Sequence, residues 1–279
     1  MYIKCWGSRG SVPVSGADYT KYGGDTTCIE IRTTSNDIII IDAGTGIRRL
    51  GNKLIEDNRY KYNFIFTHAH WDHLMGFPFF KPLYSENAQF NMYRCPFNRK
   101  FVETILPRVM SPPNFPVKYS NIKAHVVYLE SNHKEFEIGS VTVTPIPISH
   151  PNSGSGYKLT ENGKSFIFLT DNELGFVHPK GRKYEDYLAF STGADLLIHD
   201  AEYTPEEYEA KIEWGHSAYT DTLNLALEAE VDQLGLFHLN QERTDRQMDQ
   251  IVDTCRNIIA ENGKKLKCFA VSCGMTFNL

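Results

Sequence analysis

The chain contains the stretch Thr67-His68-Ala69-His70-Trp71-Asp72-His73, which begins at the end of an apolar segment, residues 63–67, that we predict to be a short strand. Four side chains of metal-ligating types lie within six residues, and three of the ten histidines of the chain are among them. Imidazoles and a carboxylate at the end of a buried strand are typical of transition-metal sites. Packing does not explain this density, so the stretch predicts a metal site.

Single ligand-type residues recur further along the chain, each directly after a predicted strand. They are His150 after residues 144–149, Asp171 after residues 166–170, and His238 after residues 234–237. One such residue alone would be weak evidence, but all three share the placement at which sheet proteins build their sites. We therefore expect them to converge on the histidine-rich stretch.

The pattern of strands and helices predicts one domain over residues 1–279. Residues 37–41 contain an unbroken run of isoleucines, which is typical of a strand buried on both faces. Strands and helices mix without strict alternation, repeat or linker, which indicates sheets packed on each other with helices outside. Residues 77–128 are rich in proline and aromatic residues, and we predict a connection there that either packs on the flank or forms a lid over a pocket. It includes a predicted helix over residues 97–106, ending at Pro107.

The composition excludes several classes of protein. Of the 279 residues, 41% are hydrophobic and 13% aromatic, which is too apolar for a disordered chain. The formal net charge of −5 disfavours broad non-specific binding to long nucleic acid. We find neither an apolar run long enough to cross a membrane nor a signal segment. Six scattered cysteines without a C-x-x-C pair indicate reduced thiols, so a cytoplasmic location is expected.

In their order along the chain, the stretch 67–73, His150, Asp171 and His238 resemble the metallo-β-lactamase-fold superfamily. The resemblance implies an α+β fold, a four-layer αββα sandwich of two mixed β-sheets flanked by helices. It also implies two divalent metal ions, for which Zn²⁺, Mn²⁺ and Fe²⁺ all suit the donors. In the implied assignment Asp171 bridges the ions, and the other ligands are His68, His70 and His150 on one ion and Asp72, His73 and His238 on the second.

Two further segments resemble the RNase Z-like phosphodiesterase branch of that superfamily. Residues 198–202 read Ile-His-Asp-Ala-Glu, and residues 214–218 read Trp-Gly-His-Ser-Ala. The resemblance implies that Asp200 orients His216, a histidine that binds no metal and assists phosphodiester cleavage. Residues 7–13 and 22–27 also look like this branch, and Ser8 and Arg9 are either functional or part of a turn.

Departures from these relatives bear on the substrate. The long arm with which tRNA-processing RNase Z clamps tRNA lies between the positions of His150 and Asp171, and here they are only 21 positions apart. The cyclic ribose phosphodiesterases carry an N-terminal cysteine cluster, whereas no cysteine lies between Cys5 and Cys28. We therefore expect a small phosphodiester substrate: a cyclic nucleotide, a cyclic sugar phosphate or a short oligonucleotide end.

The leading hypothesis is a dinuclear metal-dependent phosphodiesterase in which a hydroxide between the ions attacks phosphorus. Asp72 would hold this hydroxide, and His216, oriented by Asp200, would protonate the leaving oxygen. The alternative is a glyoxalase-like thioesterase or lactonase, which needs no Asp200–His216 pair. A degenerate binding module is disfavoured because all seven ligands are present.

Homodimers are common among the resembled proteins, so a homodimer is a further expectation. His125, His133 and His178 are predicted to be surface residues.

Overall fold

The computed structural model of the protein describes residues 1–97 and 101–279. The strands are β1 (Tyr2–Gly7), β2 (Cys28–Arg32), β3 (Ile38–Ile41), β4 (Lys61–Ile65), β5 (Gln89–Tyr93), β6 (His125–Leu129), β7 (Phe136–Ile138), β8 (Val141–Pro147), β9 (Ser155–Glu161), β10 (Lys164–Leu169), β11 (Leu196–Asp200), β12 (Gln233–Phe237), β13 (Lys267–Ala270) and β14 (Thr276–Asn278). The α-helices are α1 (Ile47–Glu56), α2 (Phe101–Val109), α3 (Tyr184–Ser191), α4 (Pro205–Glu209), α5 (Tyr219–Glu228) and α6 (Asp245–Glu261).

Within the described residues the strands form two seven-stranded mixed sheets. The first has the order β14-β1-β2-β3-β4-β5-β6, and the second has the order β13-β12-β11-β10-β9-β8-β7. Strands β3 to β6 run parallel to one another, as do β10 to β13, while the remaining neighbours are antiparallel.

The inner faces of the two sheets share one apolar core. In β3, Ile39 and Ile41 belong to this core, together with Phe166 and Phe168 of β10. Ile38 and Ile40 point the other way, into a second core on the outer face of the first sheet. Because successive side chains of a strand point to opposite faces, β3 is buried on both sides, as its isoleucine run predicts.

Helices cover both outer faces and complete the four-layer αββα sandwich expected from the sequence. Helix α1 buries Ile47, Leu50 and Leu54 against the first sheet, a spacing that places them on one helical face. Helices α3, α5 and α6 contribute to a third core on the second sheet. At the start of α6, Thr244 accepts a hydrogen bond from the main-chain N–H of Gln247 in a capping box, which fixes where that helix begins.

The segment 77–128 is more than a connection, because it supplies β5 and β6 to the first sheet. The prediction that its helix ends at Pro107 is wrong, since α2 continues to Val109. Proline removes one main-chain donor, but Met110 N still donates to Leu106 O at 3.1 Å, and both these side chains are buried in the core. Residues 98–100 of the predicted helix lie outside the described residues.

In the described part of the chain, no helix has the length and apolar character needed to cross a membrane. All six cysteines are free thiols, as the absence of paired spacing predicts.

Candidate metal centre

The predicted ligands come from the carboxyl ends of strands in both sheets. His68 follows β4, Asp171 follows β10 and His238 follows β12. His150 follows β8, which runs in the same direction as β10 because both pair antiparallel with β9. A short 3₁₀-helix, Trp71–His73, then presents the last two ligands of the histidine-rich stretch.

At two of these strand ends the chain adopts the left-handed conformation. The φ angle is 51° at Asp171 and 56° at His238. This conformation is uncommon for residues other than glycine, and here it turns both side chains toward the same point between the sheets.

The structure brings all seven predicted ligands together in two groups that share Asp171. One group is His68, His70, His150 and Asp171, and the other is Asp72, His73, Asp171 and His238. Within each group, one ligand atom from each residue lies within 4.8 Å of all the others. Both groups draw on both sheets, and each offers four donors with one carboxylate in common, which suits two neighbouring cations.

The polar atoms at the centre fit divalent cations. The Nε2 atoms of His68 and His73 are buried and make no hydrogen bond. They lie 3.4 Å and 3.1 Å from the two carboxylate oxygens of Asp171. Buried nitrogens without hydrogen bonds are costly, and a cation between them and the carboxylate would satisfy both.

The second ring nitrogen of three ligand histidines is held by a fixed acceptor. Nδ1 of His73 donates to Asp42 Oδ2 at 2.8 Å, and Nδ1 of His238 donates to Glu202 Oε2 at 2.9 Å. Nδ1 of His150 donates to the main-chain oxygen of Gly215 at 2.8 Å. These bonds fix each ring so that Nε2 faces the centre.

Sequence reasoning assigned no role to Asp42 or Glu202. A signal was available for both residues. Asp42 directly follows β3, the same placement that singled out the ligands, and Glu202 lies in the quoted segment 198–202.

Burial and the carboxylates shift the pKa values of the ligands in the cation-free protein. Burial lowers the pKa of His150 to about 3, so this ring is neutral and can bind a cation. Burial also lowers the pKa of His68 well below its usual range. Burial opposes the charge of Asp171 too, but the neighbouring histidines outweigh it and hold the pKa of that carboxyl well below its usual range.

His216 and Asp200 form the predicted pair beside the ligands. Nδ1 of His216 donates to Asp200 Oδ2 at 2.7 Å, and the His216 ring stacks on that of His238 with centroids 4.5 Å apart. Burial lowers the pKa of His216, but the carboxylates of Asp200 and Glu202 outweigh it and raise the pKa to about 9. The imidazole is therefore protonated at neutral pH in the cation-free protein.

Glu173, two residues after Asp171, is the centre of a buried network that sequence reasoning missed. Its Oε1 accepts hydrogen bonds from Tyr208 Oη at 2.7 Å and Glu213 N at 2.9 Å. Its Oε2 accepts from His178 Nε2 at 2.8 Å and Gly215 N at 2.7 Å. The prediction that His178 is a surface residue is wrong, because this bond holds it in the interior. His125 and His133 are exposed as predicted.

This network fixes residues 213–215, which we call the 213–215 loop. The loop precedes His216, and its Gly215 carries the oxygen that orients His150. Gly215 has a φ of +94°, and a Cβ atom there would lie 2.1 Å from His150 Nδ1. Glycine is therefore required at this position.

The N-terminal segment 7–13 packs against the same centre. Ser11 N donates to Asp72 Oδ2 at 3.0 Å and so helps to orient this ligand. Arg9 is buried, and its guanidinium donates to the main-chain oxygens of Gly23, Asn240 and Arg243. Arg9 thus joins three loops. Ser8 is also buried, and its hydroxyl makes no hydrogen bond.

A pocket of about 240 Å³ opens beside His68 and His70. Thr104 and Ile105 of α2 form one wall, and residues 152–155 form another. The segment 77–128 therefore packs on the first sheet and also borders a pocket next to the candidate metal centre.

Comparison with known proteins gives one family match, one related sequence and two similar solved structures. The family model described as "Beta-lactamase superfamily domain" matches residues 38–239. The chain is 24% identical over 277 residues to a Ribonuclease Z of Picrophilus torridus, covering 86% of this chain and 85% of that protein.

Among solved structures, the fold is similar to that of unliganded yeast PDE1, with a TM-score of 0.70, 14% identity, and coverage of 100% of this chain and 99% of that chain. It is also similar to a diphosphatase from the PhnP family, with a TM-score of 0.69, 17% identity, and coverage of 100% and 97%.

Proposed function

Because this chain belongs to the beta-lactamase superfamily, we propose that it is a metal-dependent phosphoric diester hydrolase that acts on a small phosphodiester. The observation that carries the proposal is the Asp200–His216 pair, which lies against the ligand His238. A proton donor beside a metal centre helps to expel an alkoxide from phosphorus, whereas a thioester releases a thiolate, which leaves without such a donor. Relatives named Ribonuclease Z and a neighbour described as a diphosphatase support the same chemistry.

The two ligand groups that share Asp171 would hold the cations. When bound, two divalent cations supply Lewis acidity, which lowers the pKa of water and neutralises charge on phosphoryl oxygens. Zn²⁺, Mn²⁺ and Fe²⁺ all accept this mixture of imidazole and carboxylate donors.

Side chains of the protein itself would donate the proton and hold its donor in place. Nδ1 of His216 donates to Asp200, which leaves Nε2–H to protonate the departing oxygen. Asp200 Oδ1 accepts from the main-chain N–H groups of Glu202 and Ser217, so the carboxylate that orients His216 is itself fixed.

We propose that Asp72 positions the attacking water as well as binding a cation. Its Oδ2 accepts a hydrogen bond from Ser11 N, which fixes the carboxylate. Its Oδ1 has no partner among the described residues, and this oxygen would accept the hydrogen bond of the water.

Three features support a small substrate. The pocket beside His70 has a volume of about 240 Å³. The chain between His150 and Asp171 forms only the hairpin of β9 and β10, with no projecting arm. The net charge of −5 disfavours broad non-specific binding to long nucleic acid. The Ribonuclease Z relatives make a tRNA precursor a necessary member of the test panel.

The test is hydrolysis by the protein loaded separately with Mn²⁺ and with Zn²⁺. The panel contains a nitrophenyl phosphodiester, 3′,5′- and 2′,3′-cyclic nucleotides, a tRNA precursor with a 3′ extension, a thioester and a lactone. We expect metal-dependent turnover of the small phosphodiesters. Turnover of the thioester or lactone alone would overturn the proposed reaction class, and turnover of the tRNA precursor alone would overturn the proposed substrate size.

Replacing His216 tests its role as the acid. His216→Ala should lower kcat about 100-fold or more on a cyclic nucleotide, whose leaving group is an alkoxide, but less than about tenfold on a nitrophenyl diester. Metal content should not change, and His125→Ala, an exposed histidine, is the matched control. Equal losses on both substrates would remove His216 from the proposed role.

A further inference from the structure

A second pocket of about 240 Å³ adjoins the pocket beside the candidate metal centre. The two share Ala69 and Ile105, and the second is also lined by Trp71, Arg108 and Asn114. We call the joined space the Trp71 groove. Its combined volume falls within the range of roughly 300–1,000 Å³ typical of small-molecule sites. The groove is therefore larger than the hydrolysis of a single phosphodiester group requires.

Trp71 offers an open aromatic face on the wall of this groove. Its side chain is 61% exposed. The other exposed tryptophan, Trp214, is covered by the Lys211 ammonium at 3.7 Å from the ring centroid. Among the side chains of residues 1–97 and 102–279, no aromatic ring stacks on the ring of Trp71 and no cationic group lies over it. An uncovered indole next to a candidate active site is typical of a surface that stacks on a ligand ring.

The main chain of Trp71 is fixed, so its indole is attached to a rigid base. Trp71 lies between the predicted ligands His70 and Asp72. Its oxygen accepts hydrogen bonds from the N–H groups of Leu74 and Met75 at 3.0 Å and 2.7 Å. A platform that is fixed in advance loses little entropy when a ligand stacks on it.

Arg108, another residue that lines the second pocket, supplies a positive charge. It is an exposed residue of α2, and its guanidinium has no ion pair or hydrogen bond with any described residue. In a chain with a net charge of −5, an unpaired guanidinium beside an aromatic platform favours a ligand that has both a ring and a negative charge.

We propose that the Trp71 groove binds the nucleoside of the substrate, with its base stacked on Trp71 and a second phosphate paired with Arg108. This inference rests on the proposed phosphodiesterase function and refines it. The substrate class becomes a short nucleotide chain with a phosphate on each side of one nucleoside. A cyclic mononucleotide has only one phosphate and would leave Arg108 without a partner.

Three nitrophenyl diesters with the same leaving group test the groove. They are methyl nitrophenyl phosphate, thymidine 5′-nitrophenyl phosphate, and the same thymidine compound with a 3′-phosphate. In the metal-loaded protein we expect kcat/KM to rise at each step. Trp71→Ala should remove about 10- to 100-fold of the gain from the base, mainly through KM, and Trp71→Phe should keep most of it.

Arg108→Ala should remove only the gain from the 3′-phosphate, and Arg108→Lys should keep part of it. Arg246→Ala, an exposed arginine of α6, is the matched control and should change nothing. Equal kcat/KM values for the three diesters would overturn the proposal that the Trp71 groove binds the nucleoside. Losses in the Trp71 and Arg108 variants that do not depend on the added group would overturn it as well.

A binding measurement separates failure of the groove from failure of the proposed function. Thymidine 3′,5′-bisphosphate should quench tryptophan emission in a Trp214→Phe background, and Trp71→Phe should abolish that quenching. Quenching without hydrolysis of any diester would support nucleotide binding in the Trp71 groove and contradict the proposed phosphodiesterase activity. Hydrolysis without quenching would contradict nucleotide binding in the Trp71 groove and leave the proposed phosphodiesterase activity supported.

Discussion

Replacing Glu173 with glutamine tests whether the buried network fixes the 213–215 loop. The carboxylate accepts four hydrogen bonds, and glutamine has only one oxygen with which to accept them. Tyr208 and His178 can each reverse the direction of their bond. The main-chain N–H groups of Glu213 and Gly215 cannot, so one of them must face the new amide nitrogen.

One unsatisfied buried donor and the loss of three charge-assisted bonds should cost about 2–4 kcal/mol of unfolding free energy. For a domain of this size, that loss corresponds to a fall in Tm of roughly 3–7 °C. The measurement is thermal unfolding of the cation-free protein, followed by circular dichroism. Glu242→Gln, an exposed glutamate whose side chain has no partner among the described residues, is the matched control. A Tm within about 1 °C of wild type would refute the reasoning.

Two further predictions concern Asp42 and Glu161. Asp42→Asn removes the carboxylate that orients His73, so the affinity of the protein for the cation should fall about 10- to 100-fold. Competition with a chelating dye measures this affinity, and an unchanged affinity would contradict the role of Asp42. At Glu161, burial raises the pKa, but hydrogen bonds from Ser140, Thr34 and the chain amino group outweigh it and lower the pKa below the usual range. The stabilisation is therefore present above the usual carboxyl pKa and disappears as the pH falls through the lowered value. Glu161→Gln should cost unfolding free energy at pH 7 and less at pH 3, measured by urea unfolding at both values; an equal cost at both would contradict the sign.

The sequence predicted the layers of the fold because its strongest patterns are local. The isoleucines of β3 indicate burial on both faces without reference to any other residue. Strand β5 was missed because its polar positions look like a loop. In the folded chain Asn91 donates to Asn63 Oδ1, and Asn63 donates to Ile38 O, so these amides are satisfied inside the structure. Hydrogen bonds across 25 or more positions leave no trace in a local pattern.

The same distinction applies to the candidate site. The seven candidate ligands could be predicted because they either lie in one dense stretch or directly follow a strand, and both are local signals. Glu173 and His178 could not be found, because their role depends on Tyr208 and on the 213–215 loop, about 40 positions away.

The division of each ligand group between the two sheets has a consequence for the chain as a whole. His68, His70, Asp72 and His73 belong to the first half of the sequence, and His150, Asp171 and His238 belong to the second. The sheets are also joined by the apolar core between them and by two covalent connections, from β6 to β7 and from β13 to β14. A bound cation would add a further link at the strand ends, because the sheets could not separate there without breaking coordination bonds, so we expect cation occupancy to slow unfolding.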